Sequence, residues 1–295
     1  MQVQRRQVSS FPSARWLASG ARRRVSTCVL AALAALAGIS GCARAKEPGR
    51  EPVVAVSNSL LSAAVMDLLG DEVAIAQLAE PGTCPGHFDV RPSQVERLRT
   101  CKLLLRFDFQ DGLDGPLVNL QRRGLRIVAV GVERGFCVPA AYAEICRQVA
   151  DALVDVGLQE RSVAERRLSE IGQRLEKLTA ETRQQVTEGK LLGRSVIASG
   201  HQADFCRFLG LEVAAVFSGP ERMPVSQIDA ALRAADGAWL VIANEPEGTQ
   251  MADTLAERLR VPLVVFANFP GAEHGGRFDD LVRGNVQALL AAAAP

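Results

Sequence analysis

From Val53 onward the chain alternates short apolar runs with longer amphipathic stretches. The runs 53–57, 73–78, 103–107 and 126–130 are rich in Val, Leu and Ile and read as strands. Helices are expected between them, starting near Ser59, Ser93 and Pro116, with Ser59 and Ser93 as N-caps. Strands alternating with helices point to a parallel α/β lobe. Residues 140–189 break the rhythm. Apart from Gly157 they hold no breaker, and Val163, Leu168, Ile171, Leu175 and Leu178 recur at spacings of three to five among charged and amide residues. That pattern predicts one amphipathic helix, or two hinged near Gly157. The stripe is too short for several coiled-coil heptads. Strand-like runs resume at 195–199, 212–217, 239–243 and 262–266, with helices expected over 203–209, 226–235, 250–259 and 277–294. The expected architecture is therefore α/β: an N-terminal lobe over 53–139, a connecting backbone helix over 140–189 and a C-terminal lobe over 190–295.

The N-terminus reads as an address. Arg22, Arg23 and Arg24 precede an uncharged Leu/Ala-rich stretch, 25–39, which ends in Ile39-Ser40-Gly41-Cys42. The stretch has the length of a signal-peptide core and is short for a membrane span. Small residues before a Cys resemble the lipobox of bacterial lipoproteins, which implies cleavage after residue 41 and a lipid on Cys42. A plain secretory signal with an incidental Cys is the alternative. Residues 42–52, with Pro48 and Pro52, read as a tether. The address also hides a charge asymmetry. The whole chain has 34 basic and 33 acidic residues, but residues 1–41 hold six Arg and no acid. Beyond them 28 bases face 33 acids, a net charge of about −5, which argues against a nucleic-acid partner. Export leaves Cys84, Cys101, Cys137, Cys146 and Cys206 in an oxidising compartment, an odd number that requires at least one thiol outside a disulfide.

Three local patterns, with the leader and the two-lobe layout, carry a resemblance. The first is Pro81-Gly82-Thr83-Cys84-Pro85-Gly86-His87-Phe88-Asp89 through Pro92-Ser93. The second is Ser199-Gly200-His201 at a strand end, followed by Phe208-Leu209-Gly210-Leu211-Glu212. The third is Asn244-Glu245-Pro246, with Asn285 near the C-terminus. In this order they resemble the substrate-binding lipoproteins of zinc and manganese ABC importers, over nearly all of residues 53–293. That family has a Pro-Gly-x-x-Pro-His loop, a His before a helix ending in Tyr-Gly-Leu-Glu, and a Glu-Pro. The resemblance implies two parallel-sheet lobes joined by a long rigid helix that limits lobe motion, and a metal cleft between them. It also implies a monomer, tethered through Cys42 outside the cytoplasm and served by an ABC permease and its ATPase.

The departures matter for the ligands. Gly86 holds the place of the family's first-loop His, and His87 is shifted by one. The segment 134–139 lacks the family's second His and offers Cys137. Asn268 stands where the family often has a ligand Asp. Cys84, His87, Cys137 and His201 would form an S₂N₂ set, suited to tetrahedral zinc or to Cu⁺ better than to Mn²⁺. Other readings stay open: a Cys84–Cys137 disulfide, or plain burial of either thiol. Glu245 is a ligand or a hydrogen-bond partner of a ligand, Asn268 an orienting amide, and His274 a solvated loop residue. Cys101, Cys146 and Cys206 read as packed side chains. Asp108 and Asp111 read as a turn after a strand.

The expected function is capture of a transition-metal ion, zinc first, for delivery to an ABC importer. The alternative keeps the fold and changes the ligand to a metal chelate, or leaves an adhesin-like lipoprotein without tight metal binding. An enzyme is not expected: no nucleophile elbow, HExxH or phosphate-cradling Gly-rich loop occurs. Intact mass of the membrane-associated protein tests the address. The chain should begin at Cys42 and carry lipid, and Cys42→Ala should leave it unlipidated.

Overall fold

The computed structural model describes residues 51–80, 90–133, 135–218, 233, 237–271 and 276–293. The leader with Cys42, the segment holding Cys84 and His87, most of the helix expected over 226–235, and His274 lie outside them.

Two parallel four-stranded sheets form the frame. The first contains β1 (Val54–Val56), β2 (Ile75–Gln77), β3 (Leu103–Phe107) and β4 (Arg126–Val130), in the order β2-β1-β3-β4. The helices α1 (Ser59–Leu69), α2 (Pro92–Arg97) and α3 (Asp114–Gln121) lie between these strands in sequence. Then come α4 (Pro139–Asp155) and the 28-residue α5 (Arg161–Glu188). The second sheet contains β5 (Ser195–Ser199), β6 (Glu212–Phe217), β7 (Leu240–Asn244) and β8 (Leu263–Phe266), ordered β6-β5-β7-β8. Its helices are α6 (Ala203–Phe208), α7 (Gln250–Leu259) and α8 (Phe278–Ala293). The two sheets thus repeat one topology without a repeated sequence. Among the described residues no helix is long and apolar enough to cross a membrane.

Parallel strands covered on both faces must be apolar throughout, and β1, β3 and β7 are buried along their full length. Alternation then sorts side chains between two cores. Val54, Val56, Leu103 and Leu105 enter one large cluster, while Ala55 and Leu104 face a smaller one with Leu117. In the second sheet Val196 and Ala198 join the large cluster, and Ile197 and Val241 face Leu255. The large cluster runs from the first sheet through α4 and α5 into α8, so one continuous apolar core joins the lobes.

The 140–189 stretch forms two helices, the second of the two expected forms. Gly157 adopts φ +68°, while the N–H groups of Leu158 and Gly157 bond the carbonyls of Leu153 and Val154. This is a Schellman stop, which a side chain at 157 would strain. In α5 the buried stripe is Ala164, Ile171, Leu175, Leu178, Thr182 and Val186, so Val163 and Leu168 sit at its margin. Both expected N-caps move back from their serines. The cap of α1 is Asn58, whose Oδ1 accepts from the N–H groups of Leu60 and Leu61 at 3.1 Å. Asn58 is buried and can reach two orphan amides, which leaves Ser59 as the first helical residue. At α2, Pro92 fills the first turn and Gln94 accepts from the N–H of Arg91 at 2.8 Å.

A buried carboxylate fastens the lobes to the backbone helices. Asp67, at the end of α1, has a side chain only 6% exposed. It accepts from both terminal nitrogens of Arg174 on α5, at 3.0 and 2.5 Å, from Tyr142 Oη on α4 at 2.7 Å, and from Arg277 at 3.2 Å. Arg277 also pairs with Asp71, and Arg174 approaches Asp279 at 3.5 Å. The Tyr142 ring lies flat on Phe278, with centroids 4.0 Å apart. First-lobe helix, backbone helices and second-lobe helix thus converge on one acceptor. Burial, then the neighbouring Cys146 and Asp67, keep the Tyr142 phenol protonated. Asp67→Ala would leave two guanidinium groups without their shared partner. It should cost about 3–5 kcal/mol in denaturant unfolding. Arg283→Ala, which breaks the exposed contacts with Glu181 at 3.2 Å and Asp280 at 3.6 Å, should cost about 1 kcal/mol or less.

Candidate metal centre

The carboxyl ends of both sheets turn toward one seam. Phe109, just after β3, stacks on Phe107 at 5.5 Å; Phe136 lies 5.0 Å from Phe107 and 5.1 Å from Phe269, just after β8. These rings form a bridge from the first lobe to the second, with Phe109 still 53% exposed at its end. Ligands of open α/β sheets collect at such edges, where strand order reverses. In the second sheet the reversal falls between β5 and β7.

That position is occupied by His201 and Glu247. Ser199 closes β5 and is fully buried. Its hydroxyl accepts from the His201 N–H at 3.3 Å and donates to Glu247 Oε2 at 2.5 Å. Glu247 ends a tight turn, Glu245–Glu247, that follows β7; Pro246 sets its start and Gly248, at φ +75°, allows its exit. A second tie flanks the first: buried Gln202 donates through Nε2 to Asn244 Oδ1 at 2.9 Å. Two hydrogen bonds therefore fix the β5 turn to the β7 turn. Between them the half-exposed His201 ring directs Nε2 toward Glu247 Oε1, 3.5 Å away.

The carboxylate that meets His201 is thus Glu247, whereas Glu245, the residue singled out in the sequence, is exposed at the start of the turn. The two carboxylates of this Glu-Pro-Glu turn diverge, and it is the second that meets the Ser199 hydroxyl.

Cys137 lies in the seam, wholly buried. Its thiol donates to the Ala267 carbonyl at 3.3 Å and lies 3.7 Å from Asn285 Nδ2 and from Asn268 Oδ1. Burial is the largest cause that pushes this thiol far above its usual range, and nearby Cys206 adds to it. A metal ligand must be a thiolate, so ligation by Cys137 would have to overcome this burial and give up the hydrogen bond to the Ala267 carbonyl. Asn285 is committed to the same seam: it accepts from the Ala267 N–H and donates to the Ala267 carbonyl, both at 2.9 Å. Asn268 is buried beside it, near Gln202 and Cys137. The other described cysteines, Cys101, Cys146 and Cys206, are buried free thiols. Burial raises Cys101 to about 11 and Cys206 to about 12. Asp108 and Asp111 belong to a turn after β3, as the sequence suggested. Among the described residues no three His, Cys, Asp or Glu side chains gather as a metal site. His201 and Glu247 form a pair to which other residues would have to contribute.

Comparison with known proteins places this geometry. No curated protein sequence matches the chain. Among solved structures it resembles the periplasmic zinc binding protein TroA from Treponema pallidum. The TM-score is 0.67 at 17% identity, covering 83% of this chain and all of that one. A zinc-bound ZnuA deletion mutant aligns with a TM-score of 0.66 at 14% identity, covering 83% of this chain and 99% of that chain. A mutant of the laminin-binding adhesin Lmb from Streptococcus agalactiae gives 0.67 at 14% identity, covering 82% and 100%. At these identities the likeness establishes the two-lobed fold. The family model for the periplasmic component A of the zinc-uptake complex, ZnuA, matches residues 54–292, both sheets and the helices between them, and the chain therefore belongs to that family.

Proposed function

We propose that the protein captures zinc outside the cytoplasm and delivers it to an ABC permease and its ATPase. Membership of the family supports the coarser part, a periplasmic metal-binding component of an importer. The observation that carries the zinc reading is His201: an exposed imidazole at the reversal point of the second sheet, with a carboxylate beside it. An imidazole and a carboxylate oxygen suit zinc, and His201 is proposed as its anchor. His87 and Cys84 are proposed to contribute from the segment after β2. With a thiolate in the set, zinc is favoured over Mn²⁺, and Cu⁺ is the competing ion. Cys137 is assigned to packing. The lipid on Cys42 is proposed to hold the protein at the membrane.

Zinc titration of the purified protein against a chromogenic chelator tests the reading. One zinc should bind per chain. His201→Ala should weaken binding by about 10²-fold or more, the effect of losing a whole ligand rather than the 10–100-fold loss of its hydrogen-bond partner. Cys137→Ala should leave affinity within about threefold. Unchanged zinc affinity in His201→Ala would remove the basis for the assignment.

A further inference from the structure

We infer that Glu247 is itself a metal ligand, so that the second lobe presents a preassembled His201/Glu247 pair to the ion. The inference rests on the zinc reading above and assigns one of its ligands.

Three observations carry it. The first is a distance. His201 Nε2 and Glu247 Oε1 are 3.5 Å apart. This is longer than an N–H···O hydrogen bond, which lies at about 2.7–3.2 Å. It matches an edge of a zinc tetrahedron. Nitrogen and oxygen ligands at about 2.0–2.2 Å, subtending the tetrahedral angle, stand about 3.4 Å from each other. The pair is therefore spaced to share an ion rather than a proton.

The second is the way Glu247 is held. Its Oε2 is occupied by the Ser199 hydroxyl at 2.5 Å, which leaves Oε1 as the oxygen turned to the imidazole. Ser199 is fully buried, and its oxygen also receives the His201 backbone N–H. One hydroxyl thus sets the carboxylate rotamer and anchors the residue that carries the imidazole. Ligating carboxylates are commonly oriented by such a hydrogen bond.

The third is a contrast inside the molecule. In the first sheet the same two positions are taken by Ser57, after β1, and Gln110, in the turn after β3. Ser57 Oγ donates to Gln110 Oε1 at 2.6 Å. There Gln110 is buried, and the same Oε1 also accepts from the Phe107 N–H. The fold thus uses a serine-to-side-chain tie at both reversal points. Only in the second lobe is the tied group a carboxylate, partly exposed and set beside a histidine. A neutral amide meets the structural need, so the charge on Glu247 is surplus to the tie and available to a cation.

The test uses the full chain with Zn²⁺ and Co²⁺ as probes, comparing wild type with Glu247→Gln, Glu245→Gln and Ser199→Ala. Glutamine keeps the shape of Glu247 and can still accept from Ser199, as Gln110 does from Ser57, and thermal unfolding checks that the variant is folded. Glu247→Gln should weaken zinc binding by at least about tenfold. It should also change the visible ligand-field spectrum of the bound Co²⁺, because a carboxylate leaves the coordination sphere. Ser199→Ala should weaken binding while leaving that spectrum in place, since it disturbs only the orientation. Glu245→Gln should change neither. Wild-type zinc binding with a Glu247→Gln variant of equal affinity would overturn the inference and leave the zinc reading standing. So would weaker binding with an unaltered Co²⁺ spectrum, which would make Glu247 a positioning residue. Wild type without zinc affinity would instead overturn the function on which the inference rests.

Discussion

The arrangement depends on one buried carboxylate. Asp67 gathers Arg174, Arg277 and Tyr142, and through them α1, α4, α5 and the start of α8. The Asp67 side chain is only 6% exposed, whereas Arg174 and Arg277 keep about a third of theirs in water, and a carboxylate so buried is costly to leave without its partners. The hub therefore fixes a particular relation of lobe to backbone rather than adding general cohesion. The continuous apolar core through α4, α5 and α8 acts in the same direction. Both make a wide hinge motion between the lobes costly.

Within the second lobe a smaller set of ties holds the proposed metal pair. Ser199 and Gln202 tie the turn after β5 to the turn after β7 at the place where strand order reverses. Neither tie requires a metal. The His201 and Glu247 groups are therefore positioned by backbone topology and two hydrogen bonds, so the proposed capture of an ion would require little ordering of these side chains. On the seam side, Cys137, Asn268 and Asn285 form a buried polar patch around the residues after β8. Its work is to seat that segment against the first lobe.

Much of this was legible in the sequence because the governing signals are local. Five-residue apolar runs marked β3, β4 and β5 to the residue, and Gly157 marked the break between α4 and α5. Caps were less legible. In Ser57-Asn58-Ser59 three buried polar residues compete for one position, and the partners decide: the Ser57 hydroxyl is taken by Gln110, while Asn58 Oδ1 reaches the N–H groups of Leu60 and Leu61. The site was half legible. His201 stands out as one of three histidines, but the choice between Glu245 and Glu247 depends on the path of a three-residue turn around Pro246. The surroundings of Cys137 were not legible at all, because they are set by Ala267 and Asn285 some 130 to 148 residues away, which bury the thiol and hydrogen-bond it. The Asp67 hub left no signature at all, because its members are scattered from α1 to α8.

X-ray absorption at the zinc edge of the metal-loaded protein reads the donor set of the ion. One zinc is expected, with a nitrogen and oxygen shell at about 2.0–2.2 Å, imidazole scattering from His201, and at most one sulfur at about 2.3 Å. A shell dominated by sulfur, or one whose imidazole signal survives intact in His201→Ala, would contradict the proposed ligand set.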